Sequence, residues 1–174
     1  MPTTELCERN RQMIVRSSAR FPGKCRSDYS DEWYTPPHIV TALGTFDLDP
    51  CAGPMTHAKR NLTREDDGLT ARWQGRVWLN PPYSNVHEWL SKFRKHGNGI
   101  ALVNTRPETQ WFQRLAADAD GLLWLRGRVQ FQRPDSQSSH PPVGNVLVAY
   151  GKRNAAALIR SKLPGVITTV EHVV

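Results

Sequence analysis

The chain has 174 residues, 39% hydrophobic and 22% charged, with 23 Lys and Arg against 16 Asp and Glu for a formal charge of +7. This mixture excludes a disordered chain and fits one domain with a packed core. No apolar run approaches the ~20 residues of a membrane helix, and the three cysteines (Cys7, Cys25, Cys51) contain no CxxC pair, so neither a disulfide framework nor a metal site is expected.

In chain order, residues 1–28 are polar and basic and read as a flexible arm, with residues 29–174 as a single domain. Thr35-Pro36-Pro37 reads as a helix start, with Thr35 as N-cap and Pro36 at the first helical position. Ile39, Val40 and Leu43 form its apolar face and Gly44 its stop. Thr45 to Leu48 reads as a strand ending in Asp49-Pro50-Cys51-Ala52-Gly53, and the polar stretch 54–72 carries no clear period. Arg76 to Leu79 is a second strand. Val86 to His96 has helical spacing, with Val86, Trp89, Leu90 and Phe93 on one face. Ile100–Val103, Leu122–Leu125, Val129–Phe131 and Val146–Tyr150 read as strands, and Glu108–Ala117 and Ala155–Leu163 as helices. Alternating strands and helices imply an α/β fold with a mostly parallel sheet, helices on both faces and an antiparallel C-terminal hairpin at one edge.

The strongest chemical signal is Asn80-Pro81-Pro82-Tyr83, placed directly after the apolar Val77-Trp78-Leu79. Ligands in open α/β sheets bind beyond the carboxyl ends of strands, so this motif sits where a site belongs. Its residue types suit an exocyclic amine such as adenine's, whose lone pair is delocalised and which carries two N–H donors. The Asn80 side-chain oxygen and the Pro81 carbonyl can each accept one, stabilising the positive charge that grows on nitrogen during attack. The prolines fix that carbonyl, and Tyr83 offers a flat face to a flipped-out base. The competing reading is a proline-rich turn with Tyr83 as core. One strand upstream, Asp49 can pair with a cofactor's amino group, while Cys51-Ala52-Gly53 let the backbone approach closely. Asp66-Asp67-Gly68 either accepts from a cofactor hydroxyl or amine or forms an exposed acidic turn.

These elements in this order resemble the phage-type DNA adenine methyltransferases (the Dam family). The matching pieces are Trp33-Tyr34-Thr35-Pro36, Phe46-Asp47-Leu48-Asp49-Pro50, Asp66-Asp67-Gly68-Leu69 with Trp73, Asn80-Pro81-Pro82-Tyr83, Arg106 through Thr109 to Trp111-Phe112, and Gly127-Arg128-Val129-Gln130-Phe131. The resemblance implies a Rossmann-like fold using S-adenosylmethionine. It makes Asn80, Pro81, Pro82 and Tyr83 the catalytic motif, and places Tyr34, Thr35, Pro36, Asp49, Pro50, Cys51, Ala52, Gly53, Asp66 and Asp67 around the cofactor. One departure is Cys51-Ala52-Gly53-Pro54, where many adenine methyltransferases carry an aromatic-Gly-x-Gly loop.

The basic charge favours a polyanionic partner. Double-stranded DNA is the expected substrate, contacted by Arg106, Thr109, Arg126, Arg128 and Arg133, in the cytoplasm of a bacterial host and with neither membrane nor metal involved. The polar connection Gln132 to Asn145 is long for a hairpin loop and is a candidate for reading base edges. The same Asn-Pro-Pro-Tyr chemistry serves enzymes acting on RNA bases or on a protein glutamine, and an inactive nucleic-acid-binding module is the alternative outside enzymes.

Overall fold

The structure is a computed structural model that describes residues 33–132 and 143–169. The basic arm, Arg133 and most of the Gln132–Asn145 connection lie outside the described residues.

Helix α1 (Pro37–Leu43) opens on Pro37, whose fixed φ suits the first helical position, and closes at Gly44 with φ 91°. It begins one residue later than the sequence suggests, because Pro36 and not Thr35 holds the N-cap position. Thr35 therefore lies outside the helix, and no side chain caps the helix N-terminus. Strands β1 (Phe46–Asp49), β2 (Ala58–Asn61) and β3 (Val77–Leu79) follow. The short 3-10 turn Tyr83–Asn85 leads into helix α2 (Val86–His96). The buried Val86, Trp89, Leu90 and Phe93 recur at helical spacing, Arg94, Lys95 and His96 complement the negative end of the helix dipole, and Gly97 caps it in the left-handed region. Then come β4 (Gly99–Asn104), helix α3 (Gln110–Ala117), β5 (Gly121–Leu125), β6 (Asn145–Tyr150), helix α4 (Lys152–Arg160) and β7 (Gly165–Thr169).

The seven strands form one mixed sheet in the order β2-β1-β3-β4-β6-β5-β7. Strands β2, β1, β3 and β4 are mutually parallel. Strand β6 is antiparallel to both β4 and β5, so β5 runs in the same sense as β4, and β7 runs against β5. Antiparallel pairing is thus present near the C-terminus, but its central strand β6 lies inside the sheet rather than at an edge. Val129–Phe131 is not a strand. The Val129 N–H is taken by the Asn145 side chain, and the segment makes isolated bridges, among them Tyr34 with Gln132, in place of a ladder.

Side chains alternate across the sheet with period two. Val77, Leu79, Ala101 and Val103 pack with α2 and α3, whereas Trp78, Ile100 and Leu102 pack with α1 and α4. The two buried layers make the sheet a rigid platform, since burying each Val, Leu or Phe contributes about 1.5–3 kcal/mol. Two strands carry no apolar alternation to announce them: β2 is Ala-Lys-Arg-Asn, and β7 is exposed throughout. Helix α4 begins before the predicted Ala155, at the polar Lys152-Arg153-Asn154, and ends at Arg160.

Candidate active site

The shared direction of β1 to β5 brings five carboxyl ends to one edge of the sheet, carrying Asp49, Asn61, Leu79, Asn104 and Leu125. The Asn80–Tyr83 motif leaves β3 there, between the ends of β1 and β4. The Asn80 Nδ2 donates to the Trp33 carbonyl oxygen over 2.6 Å. A carbonyl can only accept, so this bond fixes which way the amide faces and leaves Oδ1 as the end available to a substrate donor. Pro81 is buried and Pro82 half-buried. The Tyr83 hydroxyl accepts from the Asn104 N–H over 2.8 Å, and its ring, half-buried, leans on the core beneath α2 and α3. The ring is therefore fixed at its hydroxyl end as well as by packing, a role for the hydroxyl that the stacking argument from sequence lacked.

Asp49 is 3% exposed, and its Oδ1 accepts the Cys51 N–H over 3.1 Å. Burial pushes its carboxyl up to about 7, partly opposed by that bond. No Lys or Arg pairs with it among the described residues. The Cys51 thiol donates to the Asn80 carbonyl over 3.1 Å, and burial, with the Asp49 charge beside it, raises its pKa so that the sulfur keeps its proton. This bond ties the Asp49 turn directly to the Asn80 motif. The turn is also laced to β2, with Leu62 N–H donating to Asp49 O and Ala52 N–H to Leu62 O.

Glycine is required at two close approaches. A Cβ on Gly53 would fall 2.3 Å from Tyr34 Cε1, so the Tyr34 ring lies directly on this glycine. Tyr34 is itself held by reciprocal backbone bonds with Gln132. A Cβ on Gly68 would fall 1.8 Å from the Pro50 carbonyl oxygen, so the Asp66-Asp67-Gly68 turn backs onto the Asp49-Pro50 turn. The two carboxylates of that turn face solvent and serve the turn itself. Asp66 accepts from Thr63 N–H and Oγ1, bonds that hold its carboxyl below the usual range, and Asp67 accepts from Leu69 N–H. Lys92 of α2 anchors the same loop through the carbonyls of Gly68, Leu69 and Ala71.

Of the predicted DNA-contacting residues, Arg106 and Thr109 follow β4 and Arg126 and Arg128 follow β5 at this edge. Arg106 is exposed beside Glu108 at 3.6 Å, and Thr109 Oγ1 donates to the Arg106 carbonyl, closing a local turn before α3. Arg126 and Arg128 follow β5 on either side of Gly127 (φ 78°); both are exposed, and neither has an acidic partner among the described residues. Groups that the sequence did not assign to the site also support it: the Trp33 main-chain carbonyl, Lys92, Asn104 and Asn145. Trp33 belongs to the Trp33-Tyr34-Thr35-Pro36 match, but nothing in the sequence marks its carbonyl. No group of three or more His, Cys, Asp or Glu that could hold a metal occurs among the described residues.

The residues present fit a cationic cofactor. Among the described residues, Thr35 Oγ1 is buried (2% exposed) with no hydrogen-bond partner and Asp49 is a buried acid with no cation beside it. A ligand carrying an amine and acceptor groups would relieve both deficits.

The fold and site together define an α/β protein whose ligand edge joins a buried acidic turn to an amide-presenting Asn-Pro-Pro-Tyr loop. Residues 23–159 match the family of DNA N-6-adenine-methyltransferases (Dam), and the chain belongs to that family. It is 37% identical over 94 residues to the DNA N-6-adenine-methyltransferase of Haemophilus phage HP1 (strain HP1c1), covering 49% of this chain and 54% of that protein. It is 29% identical over 121 residues to the DNA N-6-adenine-methyltransferase of Escherichia phage T1, covering 63% and 51%. The chain thus spans about half the length of these two relatives.

Proposed function

We propose that this chain is an S-adenosylmethionine-dependent methyltransferase of Rossmann-like fold that methylates the exocyclic amine of adenine in double-stranded DNA, in the cytoplasm of a bacterial host. Family membership supports the reaction, and the observation that carries the assignment of residues is the Asn80 amide, whose Nδ2 is engaged by the Trp33 carbonyl so that Oδ1 is the end left to accept a substrate N–H.

S-adenosylmethionine supplies, when bound, an electrophilic methyl group on a sulfonium. Asp49, Thr35 and the Tyr34–Gly53 wall would hold it, with Pro36, Pro50, Cys51 and Ala52 forming the backbone around them. Asp66 and Asp67 shape that wall from behind, through Gly68 against Pro50. Asn80 Oδ1 accepts one amine N–H and the Pro81 carbonyl the other, drawing electron density onto the nitrogen and stabilising its developing charge. The amine's surplus proton then passes to water, since no charged base is needed once the nitrogen has become an ammonium. The Tyr83 ring supports the face of a flipped base, and Arg106, Thr109, Arg126, Arg128 and Arg133 engage the DNA around it.

The test is transfer of a labelled methyl from S-adenosylmethionine to duplex DNA, RNA and protein in parallel, followed by nucleoside analysis of the DNA. N6-methyldeoxyadenosine is expected. Label confined to RNA or protein, or no transfer by a chain that binds the cofactor, would overturn the reading.

A further inference from the structure

Strand β6 is buried at every position and opens on a polar residue. Asn145 is 1% exposed in a strand that otherwise reads Val-Leu-Val-Ala-Tyr. An aliphatic residue would pack there without desolvating an amide, so the asparagine has to be explained by its bonds. Its Nδ2 donates to Asn104 Oδ1 over 3.0 Å, and its Oδ1 accepts the Val129 N–H over 3.2 Å. Asn104 is its register partner across β4 and β6, and the Asn104 N–H donates to the Tyr83 hydroxyl. Thr105 extends the clamp, donating from both N–H and Oγ1 to the Gly144 carbonyl. A continuous chain of bonds therefore runs from Tyr83 through Asn104 and Asn145 to Val129. Val129 is the foot of the turn that carries Arg126 and Arg128, and the other foot is fixed by the Arg126 N–H bond to the Pro164 carbonyl.

We propose that Asn145 is a positioning residue for nucleic-acid binding. It sets the Arg126–Val129 turn at a fixed distance from the Asn80–Tyr83 motif, so that both guanidinia meet backbone phosphates flanking the base presented to Asn80. This rests on the DNA reading above. The turn has no regular structure of its own, and Gly127 is left-handed with open space around it. Without the Asn145 bond the turn keeps its Arg126 foot but loses the hydrogen bond at Val129, and two exposed arginines contribute most to affinity when held in register with the phosphates.

The experiment measures binding of a labelled duplex by fluorescence anisotropy over a range of salt concentrations for the wild-type chain, Asn145→Ala, Arg128→Ala and the double variant. Isothermal titration with S-adenosylmethionine and a thermal melt accompany each variant. Asn145→Ala is expected to weaken duplex binding about tenfold and to flatten the log–log salt dependence by roughly one to two, the equivalent of one or two lost phosphate contacts. Cofactor affinity is expected to stay within about twofold of wild type, because Asn145 bonds to Asn104 and Val129 and to neither Asp49 nor Thr35. Arg128→Ala should weaken binding in the wild-type background and add little in the Asn145→Ala background. If Asn145→Ala does not fold, Asn104→Ala cuts the same chain at a half-buried position, with the same expectations. A loss of affinity with an unchanged salt slope, or full additivity with Arg128→Ala, would overturn the proposal, because a residue that merely stabilises the core gives those results. A wild-type chain that binds no duplex would overturn the DNA reading together with this inference. A wild-type chain that binds and methylates DNA, with an unaltered slope in Asn145→Ala, would overturn this inference alone.

Discussion

The Asn80 side-chain amide is oriented by a residue 47 positions earlier in the chain: its Nδ2 donates to the Trp33 main-chain carbonyl over 2.6 Å. The bond makes the polarity of the amide unambiguous and places an oriented acceptor at the end of β3. Asn80→Ala is expected to lower methyl transfer by about 10²–10³ through loss of roughly 3–4 kcal/mol of transition-state stabilisation. Cofactor binding, measured by calorimetry, should be little changed, since Asn80 acts on the base. Turnover within a factor of about three of wild type would remove Asn80 from the chemistry.

The Tyr83 hydroxyl and the Asn104 N–H lie 2.8 Å apart, and this separates two roles of one side chain. Tyr83→Phe keeps the ring but leaves that N–H without its partner, at a cost of about 1–3 kcal/mol in placing the loop. Tyr83→Ala removes both bond and ring, and stacking of a base on an aromatic is worth about 1–3 kcal/mol more. Single-turnover rates are expected to fall in the order wild type, Phe, Ala. A Phe variant as fast as wild type would show that the hydroxyl only fastens the loop to a strand that holds it anyway.

What could be read from the sequence follows from where each signal resides. Helix α2 is marked by the 3.6-residue recurrence of Val86, Trp89, Leu90 and Phe93, and the position of Asn80 by three buried apolar residues just before it. Strand β2 was hidden because Ala58-Lys59-Arg60-Asn61 carries no apolar alternation, and its order comes from parallel pairing with β1. Val129–Phe131 has strand composition, yet a side chain, Asn145, takes the backbone donor that a ladder would need. The partners that orient the site were least legible: the Trp33 carbonyl is main chain and has no residue signature, and Lys92 reads as an ordinary exposed charge on a helix although it bonds three loop carbonyls. In the sequence Gly68 is notable only for the acids before it, whereas in the structure its missing Cβ lets the turn close against Pro50.

That glycine gives a stability prediction. A methyl group at Gly68 would lie 1.8 Å from the Pro50 carbonyl oxygen and 3.0 Å from the Trp89 ring. Neither obstacle can swing aside, since one is backbone at the end of β1 and the other is packed in the core. Gly68→Ala is expected to destabilise the fold by about 2–3 kcal/mol through overpacking, lowering the melting temperature by roughly 4–12 °C for a chain of this size. A shift of less than about 2 °C would mean that the turn is not pressed against Pro50 in solution.

Asp49 gives the prediction with a defined pH window. Burial raises its folded carboxyl to about 7, well above the ordinary carboxylate value. The folded state therefore binds more protons than the unfolded chain between roughly pH 4 and 7, so this residue's contribution to stability declines as pH rises through that window. Cofactor binding runs the other way. A cationic amine pairs with the carboxylate and not with the acid, so binding has to draw the proton off, and affinity should climb as pH rises through 7 and level off above it. For a group titrating near 7 the ionised fraction increases about tenfold between pH 6 and 8, and the S-adenosylmethionine association constant should increase by about the same factor. Asp49→Asn removes the titration. Its affinity should be flat over this range and lower than wild type at pH 8 by about 1.5–3 kcal/mol, the worth of a charge-assisted hydrogen bond. Calorimetry at three pH values in two buffers of different ionisation enthalpy measures both the affinity and the proton released. Wild-type affinity independent of pH, with no proton release near pH 7, would place the cofactor's amine away from Asp49.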